Sequence, residues 1–211
     1  MKRALIFGGG AYGEEFPVIN SDDFIIAADK GAEILINKGI TPHLTVGDFD
    51  SSSVIPEENV IRLPVEKDVT DTNAAVGIAL ERGYDEIHIY GGMGGRIDHT
   101  FANYSLAASL AEKGIRAYLF GEGYCVTAIS DGKITLPGRK GDTVSVFSWS
   151  EECRGVTLRG LKYPLENAVL SRNFALGVSN SFLEENAEIA VKEGILLIMQ
   201  EISVDKRGVL L

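Results

Sequence analysis

The sequence predicts an α/β N-terminal domain with a mainly parallel sheet, followed by an all-β sandwich C-terminal domain. From the start of the chain to about Gly123, short apolar runs alternate with helical segments, a pattern that favours a parallel sheet. Beyond Tyr124, helical periodicity is largely gone and Gly, Asn and Asp turns recur between strand-like runs, as in a β-sandwich. We therefore expect two domains, residues 1–128 and residues 129–211.

The strands of the first domain are predicted by short apolar runs that end at turn residues. In chain order these runs are RALIF, DFIIAAD, HLTVGD, NVIRLP, DEIHIYGG and IRAYLFG. Three helices are predicted between them: the short segment GAEILINKG, Asp71–Gly83 with its acidic start and glycine stop, and Asp98–Lys113. The apolar face of the third helix is expected to carry, at helical spacing, Phe101, Tyr104, Ala108 and Ala111.

The second domain is predicted to consist of strands and turns. KITLPGRKGDTVSVFSW indicates two strands around a Pro-Gly turn, and further strands are expected at GVTLRGL, AVLSRNF and ILLIMQEIS. Two stretches, LKYPLEN and GVSNSF, have a composition typical of turns between strands.

Charge and composition exclude several classes of protein. The formal net charge of −10 disfavours binding to nucleic acid or to an anionic membrane surface. No apolar stretch approaches the roughly 20 residues that cross a bilayer, and the apolar run after Met1 is too short for a signal peptide. Cys125 and Cys153 form no disulfide framework and have no metal-ligand spacing. We expect a cytoplasmic protein.

Aspartates follow the predicted strands repeatedly. Asp29, Asp48, Asp50, Asp71 and Asp98 all lie at or just beyond strand ends, where open parallel sheets bind their ligands. A single aspartate there is usually a helix cap or a turn residue. Several converging carboxylates instead need a cation or a shared proton, and oxygen ligands without nearby His or Cys favour Mg²⁺. The stretch GDFDS is therefore interpreted as a metal site.

A glycine-rich stretch, GGMGGRIDHTFAN, is a candidate phosphate site. Its four glycines in five residues, among them Gly92 and Gly95, would let backbone N–H groups approach a phosphate, and the following helix would add positive potential. The forked, positively charged guanidinium group of Arg96 would add a further contact to the phosphate. The alternative is a flexible turn in which Asp98 caps the helix. The stretch is not a Walker A motif, because no Gly-Lys-Ser/Thr follows.

The stretch EKDVTDTN lies at the start of the second predicted helix. Its functional interpretation places Asp71 on the metal and Lys67 near a phosphate of a nucleotide. The alternative is a capped helix start that faces solvent.

Taken together and in this order, ADKGA, GDFDS, KDVTD, GGMGGRIDHTFAN, LKYPLEN and GVSNSF resemble the bacterial thiamine pyrophosphokinase family. The resemblance runs from Ala28 to about Met199. It implies an enzyme that transfers the pyrophosphoryl group of ATP to the hydroxyethyl oxygen of thiamine, giving thiamine diphosphate and AMP. It also implies a homodimer of an ATP- and magnesium-binding catalytic α/β domain and a thiamine-binding β-sandwich, with the active site between subunits.

The resemblance assigns roles to individual residues. Asp48, Asp50 and Asp71 would hold Mg²⁺, and ATP would meet Lys67, Gly92, Gly95 and Arg96. Thiamine would meet a set of three residues in two parts of the chain: Asp98, Ser179 and Asn180. Asp71 and Asp98 are the expected catalytic residues.

Two other classes compete with this interpretation. In a haloacid-dehalogenase-type phosphatase, whose motif GDFDS also resembles, Asp48 would be phosphorylated and Asp50 would act as acid and base. That motif usually follows the first strand, whereas two predicted strands precede it here. The second alternative is a non-catalytic regulator that binds a nucleotide or thiamine on the same fold.

Overall fold

The structure is a computed structural model that describes residues 2–13, 16–49, 58–66, 68–121 and 123–202. The described chain divides into two compact units. The first unit holds the described residues up to Asn103 and a short return from Ala117 to Gly121. The second unit holds residues 104–116 and the described residues from Gly123 onward.

The first unit is an α/β unit built on a parallel sheet. Its elements are β1 (Arg3–Phe7), β2 (Phe24–Ala28), α1 (Gly31–Asn37), β3 (Leu44–Gly47), β4 (Val60–Arg62), α2 (Asp71–Glu81), β5 (Glu86–Tyr90) and β6 (Arg116–Gly121). Helix α3 (Ile97–Glu112) begins in this unit. The predicted strands and helices of this half of the chain all form, with ends that differ from the predicted ones by at most two residues.

Strand order in the first unit is β6-β5-β1-β2-β3-β4. The pairs β5/β1, β1/β2, β2/β3 and β3/β4 are all parallel, as the sequence predicts. The chain builds outward from β1 to β4 on one side and then returns to place β5 on the other side of β1. In open α/β sheets, such a reversal leaves a crevice beyond the carboxyl ends of the two strands that flank it. That point lies between β1 and β5.

Fully buried apolar strands make the core of the first unit. Strand β2 is buried along its whole length and β1 from Ala4 onward, as expected of a parallel sheet covered on both faces. Helix α1 packs on β1 and β2, and α2 packs on β1, β2 and β3. The apolar face predicted for the third helix is wrong at one position, because Phe101 is 61% exposed. The buried side of α3 carries Ala107, Ala108, Leu110 and Ala111.

The strands of the second unit form two antiparallel groups. One has the order β12-β9-β14-β7, with β7 (Tyr124–Ser130), β9 (Thr143–Ser148), β12 (Gly177–Ser181) and β14 (Ile195–Glu201). The other has the order β11-β10-β13-β8, with β8 (Lys133–Pro137), β10 (Glu152–Arg159), β11 (Leu165–Ser171) and β13 (Asn186–Ala190). Every pairing recorded within the two groups is antiparallel.

A single apolar core joins the two groups of strands. It combines Val144, Val146 and Ile198 of the first group with Val156 and Ile189 of the second, among other buried residues. Two groups of antiparallel strands share one core, as in a β-sandwich. The first group belongs to the large mixed sheet of the described chain and the second is a separate four-stranded antiparallel sheet, so the predicted fold class is confirmed at that level.

Three strands of the second unit were not predicted. Strand β7 lies at the expected domain boundary, β13 is the polar run NAEIA, and β12 is GVSNS, whose composition suggested a turn. Gly177 explains β12, because a Cβ there would meet the carbonyl oxygen of Val146 in β9 at 2.2 Å. The close pairing needs glycine, and it overrides the low strand propensity of the segment. Among the described residues, no helix is long and apolar enough to cross a membrane.

Candidate functional site

A cavity of about 380 Å³ lies in the first unit, at the carboxyl ends of β1, β2 and β5. It occupies the point at which the strand order reverses. Its wall is made by glycine-rich turns, by residues at or just beyond strand ends, and by residues in the first two turns of helices: Gly9, Gly10, Ala28, Asp29, Lys30, Thr70, Asp71, Thr72, Gly91, Gly92, Gly94, Gly95, Arg96, His99 and Asn103.

Two glycine segments form one side of this cavity. The first glycine segment (residues 8–10) follows β1, and the second glycine segment (residues 91–95) follows β5. They continue the pairing of their strands, with hydrogen bonds from Gly8 N to Tyr90 O at 2.8 Å and from Gly10 N to Gly91 O at 2.9 Å. A Cβ on Gly10 would lie 2.4 Å from Gly91 O, so the close approach of the two segments requires glycine at position 10.

Asp29 and Lys30 follow β2 and reach the same cavity. Asp29 has φ +48° and donates its backbone N–H to Val46 O of β3 at 2.9 Å. Its Oδ1 atom is buried. Asp29 tolerates the left-handed conformation better than most residues do, and the turn holds its carboxylate at the strand end beside an exposed lysine.

Helix α2 directs its N-terminus at the cavity. Thr70 caps the helix, its Oγ1 accepting a hydrogen bond from Asn73 N at 3.2 Å. Thr70, Asp71 and Thr72 all line the cavity, and Oδ1 of Asp71 is buried. The helix start is capped, as the alternative interpretation of EKDVTDTN expects, and the cap is Thr70. Asp71 is the first residue of the helix and lines the cavity. Lys67 lies outside the described residues.

The GDFDS stretch is described only in part. Asp48 is half-buried directly after β3, and Phe49 is buried with φ +61°. Asp50 lies outside the described residues. Asp48 is not among the residues that line the cavity. Within the described ranges, no three His, Cys, Asp or Glu side chains are arranged to hold a metal ion.

The second glycine segment leads into Arg96 and Asp98. Gly92, Gly95 and Arg96 line the cavity, as a phosphate site would require, while Asp98 does not. Arg96 Nη2 donates to Asp98 Oδ2 at 2.6 Å and Nε donates to Oδ1 at 3.2 Å. Helix α3 begins at Ile97, so Asp98 lies in its first turn and not at the cap. The Arg96 hydrogen bond lowers the pKa of Asp98.

Ser179 and Asn180 lie on β12 of the second unit. Ser179 is exposed, has φ +55°, and sits in an irregularity of the pairing between β12 and β9. Asn180 is 3% exposed. Its Oδ1 accepts hydrogen bonds from Tyr163 N and Ser181 N, both at 2.9 Å, and its Nδ2 donates to Tyr163 O at 2.8 Å. The Asn180 amide thus fixes the LKYPLEN turn.

Sequence reasoning missed part of the cavity wall. Gly9, Gly10, Lys30 and His99 line the cavity but were not assigned a role. Lys30 and His99 lie inside motifs that carry the family resemblance, whereas Gly9 and Gly10 do not. The signal for the first glycine segment was a glycine run directly after the first strand. A glycine run alone is a weak indicator of a ligand site. It becomes informative only when the structure places β5, with its own glycine segment, beside β1.

The chain matches two family models. The model of the thiamin pyrophosphokinase catalytic domain matches residues 17–119. The model of the thiamin pyrophosphokinase vitamin B1 binding domain matches residues 132–196. The two matched segments follow each other along the chain and together span most of it.

Named relatives agree with these matches. The thiamine pyrophosphokinase of Bacillus subtilis (strain 168) is 29% identical over 183 residues, which cover 83% of this chain and 86% of the relative. A crystal structure of thiamine pyrophosphokinase from Bacillus subtilis superposes with a TM-score of 0.83 at 27% identity, covering 96% of this chain and 100% of that chain. A crystal structure of thiamin pyrophosphokinase from Geobacillus thermodenitrificans gives a TM-score of 0.82 at 28% identity, covering 98% and 100%.

Proposed function

The chain belongs to the thiamin pyrophosphokinase family, and on this premise we propose which of its residues transfer the pyrophosphoryl group of ATP to thiamine. In this reaction the hydroxyethyl oxygen of thiamine forms a bond to the β-phosphorus of ATP and loses its proton. The bond between that phosphorus and the oxygen bridging to the α-phosphorus breaks, so that thiamine diphosphate and AMP result. Such transfers depend on positioning and charge neutralisation more than on covalent catalysis by the protein.

The cavity of the first unit carries the proposal. It combines two glycine segments with the cations Lys30 and Arg96 and the carboxylates Asp29 and Asp71. Backbone N–H groups and cations suit the phosphates of ATP. Carboxylates beside them suit a metal ion that neutralises a polyanion in a protein with a net charge of −10.

For the metal we propose Mg²⁺, held by Asp48, Asp50 and Asp71. The donor set fits, because it consists of carboxylate oxygens alone, which Mg²⁺ prefers. The half-buried Asp48 follows β3 and Asp71 begins α2, and Asp50 would complete the set. Asp29 is a fourth candidate, because it reaches the same cavity as Asp71. When bound, Mg²⁺ would neutralise charge on the transferring phosphates.

For the nucleotide we propose the residues around the second glycine segment. Gly92 and Gly95 would let the backbone approach the phosphates, and Arg96 would supply a charged fork. Lys67 completes the proposed set. Two further residues of the cavity wall, Lys30 and His99, are placed to contact the same ligand.

For thiamine we propose Asp98, Ser179 and Asn180. Thiamine carries a fixed positive charge, and the exposed carboxylate of Asp98 suits it. Ser179 has an exposed side chain for direct contact, whereas the Asn180 amide already binds the backbone of Tyr163. Asn180 would thus shape the pocket by holding that turn. The proposed catalytic residues are Asp71, beside the metal, and Asp98, which orients thiamine.

We further propose that residues 1–128 form the catalytic domain and residues 129–211 the thiamine-binding domain. The two family models, at residues 17–119 and 132–196, support this division. The proposed active form is a homodimer with its active site at the subunit interface, in the cytoplasm, where ATP is available. The two cysteines, Cys125 and Cys153, are buried and free, which suits a reducing compartment.

The test is an assay that identifies products. The purified protein is incubated with Mg-ATP and thiamine, and AMP and thiamine diphosphate are separated by chromatography. Equal amounts of both products are expected, and chelation of the metal should stop their formation. Inorganic phosphate released from phosphoesters would indicate the phosphatase, and binding without any product would indicate the regulator. Either result would contradict the proposal.

A further inference from the structure

The hydroxyl group of Tyr12 lies where the two glycine segments leave their strands. It donates a hydrogen bond to Gly8 O at 2.7 Å and lies 3.4 Å from Tyr90 O. Gly8 directly follows β1 and Tyr90 is the last residue of β5, and Gly8 N itself donates to Tyr90 O at 2.8 Å. One hydroxyl therefore bridges the two strand ends on either side of the reversal in strand order.

The ring of Tyr12 also has close packing partners. Gly91 has φ +63°, and a Cβ on it would meet Tyr12 Cε2 at 2.6 Å. The ring also stacks with Phe16, at 6.3 Å between centroids and 8° between planes. Burial raises the pKa of the Tyr12 hydroxyl, so the group stays a neutral donor at any physiological pH. The ring thus packs against the second glycine segment, at Gly91, while the hydroxyl group donates to the first, at Gly8.

We propose that Tyr12 is a positioning residue for the nucleotide, which fixes the two glycine segments in the conformation that receives the phosphates of Mg-ATP. Tyr12 does not line the cavity itself, so it acts through residues 8–10 and 91–95. Segments held in place before binding lose less conformational entropy when the ligand arrives. The inference rests on the proposed function, because it takes Mg-ATP to bind in this cavity.

The test compares two tyrosine-to-phenylalanine variants. Tyr12→Phe keeps the ring and removes the hydroxyl, leaving the carbonyl of Gly8 without its side-chain donor. Tyr84→Phe is the matched control, because Tyr84 stacks on Phe24 just before β5, at the opposite end of the sheet. Calorimetry measures the Kd of a non-hydrolysable Mg-ATP analogue and of thiamine for each protein.

In Tyr12→Phe the Kd of the nucleotide analogue should rise on the order of tenfold, the loss that one hydrogen bond typically causes. The Kd of thiamine should change less than about twofold, and Tyr84→Phe should leave both constants as they are. An unchanged nucleotide Kd in folded Tyr12→Phe would overturn the inference. Equal weakening of both ligands would also overturn it, since that indicates general loosening.

A second measurement needs no variant. In the wild-type protein without nucleotide, the amide hydrogens of Gly8 and Gly10 should already be protected from exchange, because the segments are fixed in advance. Fast exchange that slows only when the analogue binds would overturn the inference even if Tyr12→Phe fails to fold. Failure of the proposed function looks different: the wild-type protein would then form no AMP, whatever the Tyr12 variant binds.

Discussion

Arg96 and Asp98 form a two-point ion pair across one intervening residue, with the shorter hydrogen bond, from Nη2 to Oδ2, at 2.6 Å. Both side chains are largely exposed, at 69% and 64%. The two residues are proposed to meet different substrates, Arg96 the nucleotide and Asp98 thiamine. The pair therefore connects the two proposed binding sites electrostatically. Each ligand would have to compete with, or share, a partner that is already in place.

The first prediction concerns the charge of Asp98. Asp98→Asn should weaken thiamine binding on the order of tenfold, because a charge-assisted contact with a cationic ligand is lost. Binding of an Mg-ATP analogue should not weaken, since Arg96 keeps its charge and loses only a competing partner. Calorimetric titration of each ligand measures both effects.

The matched control is Asp22→Asn, which removes an exposed carboxylate from the turn before β2, away from the cavity wall. It should alter neither affinity. Because α3 begins at Ile97 and Asp98 is not its cap, thermal stability should stay nearly the same in both variants. Unchanged thiamine affinity in Asp98→Asn would show that Asp98 does not bind thiamine and that its carboxylate serves only the contact with Arg96.

The second prediction concerns the proposed metal ligands. Asp48→Asn and Asp71→Asn should each lower kcat on the order of a hundredfold or more, because neutralisation of the phosphates is lost. The rise in Tm that added MgCl₂ causes in the wild-type protein should shrink in both variants. Without metal, their Tm should equal or exceed that of the wild-type protein, since repulsion between neighbouring carboxylates is relieved.

Asp68→Asn is the control for this series. Asp68 is exposed and three residues before Asp71 in the same stretch, yet it does not line the cavity. Its removal should leave kcat and the magnesium-dependent rise in Tm unchanged. Near-normal turnover in Asp71→Asn would remove that residue from the proposed metal site.

The third prediction separates the roles of Ser179 and Asn180. Asn180→Ala removes three hydrogen bonds to the backbone of Tyr163 and Ser181, so the free energy of unfolding should fall by about 2–3 kcal/mol. Ser179→Ala removes an exposed hydroxyl and should change stability by less than about 0.5 kcal/mol. Urea denaturation measures both values.

Thiamine binding completes that comparison. Ser179→Ala should weaken thiamine roughly three- to tenfold through the lost contact alone, without a change in stability. Asn180→Ala should weaken it together with stability, because the Tyr163 turn loosens. Wild-type thiamine affinity in Ser179→Ala would exclude the hydroxyl from the pocket, and wild-type stability in Asn180→Ala would contradict the structural role of the amide.

The sequence predicted the first unit better than the second, for a physical reason. Strands such as FIIAA are buried along their whole length, so their apolar runs stand out from the helices between them. Strand β12 has no such pattern, since its existence depends on Gly177 packing against Val146, a contact between residues 31 positions apart. Local composition does not reveal a contact of that kind.

The candidate site shows the same division. Asp71, Gly92, Gly95 and Arg96 stand in motifs that could be read along the chain, and all four line one cavity. Tyr12 could not be found in this way, because its partners Gly8 and Tyr90 lie on strands whose adjacency only the topology establishes. The order of motifs along the chain thus predicted residues that line the cavity, whereas the contacts of Tyr12 could be seen only once the sheet had placed β1 beside β5.

At the other end of the sheet, Arg3 and Asp23 form an ion pair in which the carboxylate is buried. Arg3 Nε and Nη2 donate to Asp23 at 2.8 and 2.6 Å, and Asn20 N adds a third hydrogen bond at 2.7 Å. Burial alone would raise the pKa of Asp23, but these hydrogen bonds outweigh it, and the pKa lies below its usual 3.8. A carboxylate with a lowered pKa stabilises the fold above the pKa of the unfolded chain. That contribution is lost as the pH falls through the lower, folded value.

Asp23→Asn should therefore lower the free energy of unfolding by about 3 kcal/mol at pH 7, because it leaves the Arg3 charge without its partner. The difference from the wild-type protein should begin to shrink below about pH 4, where the carboxyl group of the unfolded chain takes up a proton, and should be lost as the pH falls through the lower pKa of the folded protein. Urea denaturation across this pH range measures it. Glu166→Gln, which breaks an exposed contact with Arg159, should cost less than about 0.5 kcal/mol at either pH. A deficit in Asp23→Asn that stays constant from pH 7 to pH 3 would show that the lost stability comes from packing and not from the charge of Asp23.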